Sequence, residues 1–247
     1  MTIVLLLLAA LVAGAANALA GGGTFITFPA MLFAGIASVK ANATACLVMV
    51  PGGIVSAWVY RGTLVEQPRG LVLQLVAVSL VGSAAGSLLL LNTANATFSS
   101  LVPWLLLVAS AVFTAAPWLR LVAARSGGSR SMPLLLAGQC CISIYGGYFG
   151  AGMGVLMIAL FLAVSSMDAQ SASGVRLVCA TSVNLLAVVI FAVKGAIVWN
   201  PGVPMLIAGI AGGYVGARVM RRLSEKAVRI AILAYAWGLT VYFFIAR

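Results

Sequence analysis

Two glycine-rich breaks interrupt the apolar runs of this chain, Gly21-Gly22-Gly23-Thr24 and Gly150-Ala151-Gly152-Met153-Gly154. Where a helix breaks inside a bilayer, its freed N–H and C=O groups each cost several kcal/mol unless they line a cavity or bury against protein. A helix that restarts at Thr24 or near Val155 presents free N–H groups and a partial positive charge toward the break. The chemistry on offer is anion binding. Glycines at such breaks also let helices pack closely, but three glycines in the four residues Gly21–Thr24 exceed what packing alone asks for.

Polar residues within or at the ends of the apolar runs form a second set: Asn17, Asn42, Thr44, Gln139, Ser173, Arg176, Ser182 and Asn184. Arg176 stands about one turn inside its predicted helix, where a positive charge must snorkel to the surface, pair, or meet an anionic ligand. Asn184 falls near mid-span, where its amide bonds either a neighbouring helix or a ligand. The expected substrate-binding residues are therefore Gly21, Gly22, Gly23, Thr24, Asn42, Thr44, Gly150, Gly152, Gly154, Ser173, Arg176 and Asn184. Gly82/Gly86 and Gly212/Gly216 have the GxxxG spacing in uninterrupted spans and are expected to serve helix packing. Asp168, just before a predicted helix, is expected to cap it, and Glu66 and Glu225 to pair with Arg in basic loops.

Other chemistries are poorly served. No Asp, Glu or His occupies the interior of a predicted span, which removes the usual carboxylate proton relay and argues against catalysis. Cys46, Cys140, Cys141 and Cys179 lie in apolar segments and are expected to pack as small hydrophobes. With no His and no CxxC spacing, neither a metal nor a cofactor is expected.

The elements that must position these residues follow from composition. Of 247 residues 64% are hydrophobic and only 7% charged, and the mean hydropathy is +1.19. A water-facing shell needs far more polar surface than that. Runs such as Leu71–Leu91 and Ser173–Val193, about 30 Å long as helix, match the hydrocarbon thickness of a bilayer. The net charge of +11 would raise nucleic-acid binding in a soluble protein. Here the cations sit mostly in short connections between spans and read as a topology signal, so nucleic acid is not an expected partner. The opening, Met1 to Ala20, ends in a small-residue pattern but lacks the positive start of a signal peptide, and is read as a retained first helix.

A shift of 131 residues lays Ala20–Gly35 over the stretch from Ala151, and with small loop adjustments Arg61-Gly62 meets Lys194-Gly195. Two copies of one unit, 1–122 and 133–247 joined by a linker at 123–132, are the economical explanation. Each unit predicts an apolar helix (about 2–20 and 133–149), a Gly break, and a short helix (24–36 and 153–164). Three full spans follow, about 41–60, 70–91 and 101–120, then 172–193, 202–220 and 227–246. If each broken element returns to its starting side, one face collects Arg61, Arg69, Arg120–Arg130, Arg176 and Arg218–Arg229, while the other keeps Lys40, Lys194 and Arg247. A single crossing would split the positive clusters. The positive-inside rule thus favours inverted halves with both termini periplasmic.

The two Gly-rich elements, together with SVKANATACLVMVPGG (Ser38–Gly53) and GARVMRRLSEKAVR (Gly216–Arg229), resemble the TauE/SafE family of membrane permeases, also called the sulfite exporter family. The likeness spans nearly the whole chain. It implies two homologous halves and the movement of sulfite, organosulfonates or related small anions. Where family members often carry Asn and Lys at the start of the second unit's long helix, this chain has Ser173 and Arg176: the cation is kept and the amide is not. The expectation is an all-α integral membrane protein of two inverted repeats in the bacterial inner membrane, a secondary transporter exporting a small anion by rocking of its halves. Its expected partners are that anion and membrane lipid; oligomeric state stays open, a homo-oligomer included. An anion channel would read the same way in sequence, and an intramembrane enzyme lacks its catalytic constellation.

Overall fold

The computed structural model describes residues 2–20, 23–59, 67–125, 131–219 and 225–245. Gly21 and Gly22, together with Arg61, Glu66, Arg130, Arg221, Arg222 and Arg247, lie outside the described residues. Every regular element described is a helix: α1 (Thr2–Ala20), α2 (Thr24–Phe33), α3 (Ser38–Val59), α4 (Arg69–Asn92), α5 (Asn95–Arg125), α6 (Met132–Tyr148), α7 (Met153–Val164), α8 (Ala169–Val193), α9 (Trp199–Val219) and α10 (Glu225–Ile245).

Helices α3, α4, α5 and α8 each contain an apolar stretch long enough to cross a membrane. Their outer faces carry Val81, Leu89, Val108 and Val189, all exposed, as befits a surface solvated by lipid. The short helices are another matter. With 10 and 12 residues, α2 and α7 reach only about 15 and 18 Å, roughly half the hydrocarbon core. Helix α2 stops at Phe33, short of the expected 36, because Gly35 takes φ +80 and the chain closes a turn with Ile36 N–H bonding Met31 O at 3.1 Å. The same closure ends α8, where Gly195 has φ +65 and Ala196 N–H bonds Phe191 O at 2.8 Å. Asp168 caps the other end of α8, accepting from Ser171 N–H at 2.7 Å.

The two most extensive packings, α1 on α9 and α4 on α6, bring backbones into contact through glycine. A Cβ added to Gly86 would lie 2.0 Å from Ile144 O, and one on Gly212 would lie 1.9 Å from Leu11 O. These are the close approaches expected of GxxxG positions. Residue pairings give the helix directions. Gln139 donates to Ser79 Oγ at 2.7 Å, and further along both helices Ser87 Oγ donates to Gly147 O at 3.5 Å, so α4 and α6 are parallel. Ala10 faces Gly209 and Gly14 faces Gly213, so α1 and α9 are parallel too. By contrast Gly53 faces Thr181 while Thr44 meets Val198 beyond the end of α8, so α3 and α8 are antiparallel. Val48 faces Gly209 and Thr44 faces Gly202, which sets α3 parallel to α9. Ser83 Oγ donates to Val183 O at 2.7 Å and Ser79 meets Cys179, which sets α4 parallel to α8. Helices α1, α3 and α9 therefore run one way and α4, α6 and α8 the other.

Candidate functional site

The antiparallel helices α3 and α8 meet where Gly53, in the second half of α3, faces Thr181 near the middle of α8 and leaves room that a side chain would fill: its Cβ would fall 2.8 Å from Thr181 Oγ. Beside this crossing opens a cavity of about 70 Å³. That holds a few water-sized groups and has no room for a long-tailed molecule. Helix α3 contributes Cys46 and Met49 to the wall, α8 contributes Thr181 and Asn184, and α1 contributes Asn17.

The short helices α2 and α7 both point their starts at this space, through Thr24 and Gly154. Neither start has a side-chain cap. Part of each first turn is closed by backbone, Met153 N–H bonding Gly150 O at 3.3 Å, Val155 N–H bonding Gly152 O at 3.0 Å and Ile26 N–H bonding Gly23 O at 3.0 Å. The Gly154 N–H has no backbone partner among the described residues and is left to an occupant of the cavity. Glycine is needed at these starts for different reasons. Gly150 and Gly152 take φ +82 and +79, which a side chain would strain. Gly23 is crowded: a Cβ there would lie 2.5 Å from Met49 Sδ and 2.8 Å from Ala13 O. The break before α7 is held by Tyr145, whose hydroxyl donates to Ala151 O at 2.6 Å, and by Phe149, a cavity wall whose ring packs edge-on to Phe28 with centroids 5.5 Å apart.

Arg176 supplies the formal charge. A Cβ on Gly154 would lie 2.8 Å from its Nη1 and 3.3 Å from its Cδ, so the guanidinium crosses the first turn of α7. A cation beside the positive end of a helix is unfavourable by itself and becomes favourable when an anion is shared between them. The polar side chains around it are not used up by hydrogen bonds within the protein. Elsewhere the hydroxyls of Thr44, Ser79, Thr114, Ser182 and Thr240 each donate to the carbonyl four residues back. Asn17, Thr24, Thr181 and Asn184, all lining the cavity, make no side-chain hydrogen bond to any described residue.

Of the residues expected from sequence, Thr24, Gly150, Gly154, Arg176 and Asn184 come together at this cavity. Gly23 and Gly152 cap the helices that point into it. Three others stand elsewhere and hold helix ends. Asn42 donates to Tyr148 O at 3.0 Å; Thr44 donates to Lys40 O at 2.7 Å and accepts from Val198 N–H at 3.0 Å; Ser173 donates to Ala169 O at 2.7 Å. Asn17 stood out in sequence only as a polar residue in an apolar run. Cys46, Met49, Gly53 and Thr181 gave no signal of their own, since a threonine in a span ordinarily bonds its own helix. Among the described residues no group of three or more His, Cys, Asp or Glu is placed to hold a metal.

The sequence model described as Sulfite exporter TauE/SafE matches residues 6–243. The chain is 28% identical over 228 residues to the Escherichia coli K12 protein named "Probable membrane transporter protein YfcA", covering 91% of this chain and 82% of that one. It is 26% identical over 232 residues to a Haemophilus influenzae protein named "Probable membrane transporter protein", covering 93% and 89%. To "Probable membrane transporter protein ORF9" of a Sinorhizobium species it is 27% identical over 242 residues, covering 96% and 90%. No solved structure matches the chain significantly.

Proposed function

The chain belongs to the sulfite exporter TauE/SafE family and is a membrane transporter, and from that premise we propose that it carries a small oxyanion of sulfite size out of the bacterial cytoplasm. The observation that carries this reading is the guanidinium of Arg176 lying across Gly154 at the uncapped start of α7. One full positive charge and two helix starts, each worth about half a charge at most, meet at a space with no carboxylate among the described residues of its wall. The cavity volume favours an inorganic oxyanion over a sulfonate with a long chain.

The halves 1–122 and 133–247, linked by 123–132, act as inverted repeats. The opposed directions of α1 and α6, of α3 and α8, and of α4 and α9 support this. The basic loops then face the cytoplasm and both termini the periplasm of the inner membrane. An inside-negative potential drives an anion outward by about 2.3 kcal/mol per charge per 100 mV, so export needs no proton relay. Substrate sits where α3 and α8 cross, and rocking of the halves opens it to either side.

Sulfite efflux from reconstituted vesicles tests the reading. The expected flux saturates with sulfite, rises with an inside-negative potential and is lost in Arg176→Gln. A flux that never saturates assigns a channel, and the absence of flux for sulfite and other small oxyanions rejects the reading.

A further inference from the structure

We propose that Asn17 is the substrate-positioning side chain contributed by the first half, and that with Asn184 it sets a preference for oxyanions over spherical halides; this rests on the anion site proposed above. Asn17 enters the cavity from α1 and Asn184 from α8, helices of different halves. Two glycines leave space for the Asn17 side chain. A Cβ on Gly52 would lie 3.4 Å from its Nδ2, and one on Gly23 would lie 3.0 Å from its Cβ.

An amide at this depth in a bilayer protein ordinarily bonds a neighbour, as Asn42 bonds Tyr148 O and Gln139 bonds Ser79 Oγ. Asn17 bonds no described residue. Its N–H donors are therefore available to whatever fills the cavity. The second half already offers Arg176, Thr181 and Asn184, whereas Asn17 and Thr24 are the polar side chains that the first half places on the wall. A carrier that rocks must grip its cargo from both halves, and Asn17 supplies that second grip.

Selectivity follows from geometry. An oxyanion presents separated oxygens to donors on opposite walls, while a halide presents one centre. A site built of buried donors discriminates strongly against a ligand that leaves some of them unpaired.

The test is the affinity of the purified full-length protein for sulfite and for bromide, read by titration at one ionic strength, in the parent, Asn17→Ala, Asn17→Leu and Arg176→Gln. Asn17→Ala and Asn17→Leu are expected to weaken sulfite about tenfold and bromide much less, with the anion-free melting temperature unchanged because no protein hydrogen bond is lost. Arg176→Gln is expected to weaken both anions. If Asn17→Leu fails to fold, Asn17→Ala carries the comparison. An unchanged sulfite-to-bromide ratio in Asn17→Ala, with sulfite still lost in Arg176→Gln, overturns the role of Asn17 and leaves the site intact. A parent that binds no sulfite overturns the site and this inference together.

Discussion

A guanidinium lying across the first turn of a helix makes Arg176 the most consequential single residue. Arg176→Gln is expected to lower sulfite affinity by tenfold or more, since hydrogen bonds to a charged group contribute about 1.5–3 kcal/mol. Arg176→Lys should keep part of it, because the charge survives and the planar fork does not. Thermal-shift titration at one salt concentration checks both, and equal affinity in the parent and the Gln variant would remove Arg176 from the site. Asp168 makes a pH-dependent prediction. The Ser171 backbone N–H holds its carboxyl below the ordinary value of 3.8. Its stabilising contribution is therefore fully present above that value and is lost as pH falls through the lower folded value. The melting-temperature gap between the parent and Asp168→Ala should be open at neutral pH and should close in acid; a gap independent of pH would contradict the cap. Arg176 and Asn184 were legible in sequence because charge and amide are costly in a span. Thr181 was not, because its hydroxyl differs from that of Ser182 only in what it bonds in three dimensions.

Among the elements, glycines of two kinds separate packing from site geometry. Gly86→Val is expected to cost most of the folded protein, since a Cβ 2.0 Å from Ile144 O forces α4 and α6 apart. Gly152→Ala meets nothing closer than 3.6 Å, so its penalty is the left-handed backbone alone, roughly 1–2 kcal/mol. Protein yield in detergent, read by size-exclusion chromatography, should therefore collapse for Gly86→Val and hold for Gly152→Ala, while sulfite affinity falls in the latter as the start of α7 tilts. Equal yields for the two would contradict this division. The helices themselves were plain in sequence, because apolar runs of bilayer length admit few other structures. The extent of α5 was less plain. It runs for 31 residues through Pro103 and Pro117, and a proline inside a pattern signals a break that neighbouring spans can repair. Which face of α3 meets the cavity was not legible either. Its wall residues Cys46 and Met49 are apolar, and Asn42 and Thr44 drew attention by polarity alone although they bond helix ends.

For the whole molecule, the proposed orientation, with the basic loops cytoplasmic and both termini periplasmic, makes a labelling prediction. In a cysteine-free background, a cysteine at Ser126 should react only from the cytoplasm and one at Thr2 only from the periplasm. Labelling of the Ser126 position from outside would reverse or break the arrangement. What no sequence pattern conveyed was the meeting of the two short helices. Glycine breaks 131 residues apart in register announce two half-length helices, but only folding shows that Thr24 and Gly154 line a single cavity with Arg176 across it. That convergence is the central claim, and crystals grown with selenite in place of sulfite test it most directly, since selenium is located by its anomalous scattering. The predicted result is a selenium peak within the cavity bounded by Thr24, Gly154, Arg176 and Asn184, absent in Arg176→Gln. Selenium found only outside that cavity, in a protein that transports sulfite, would contradict the claim.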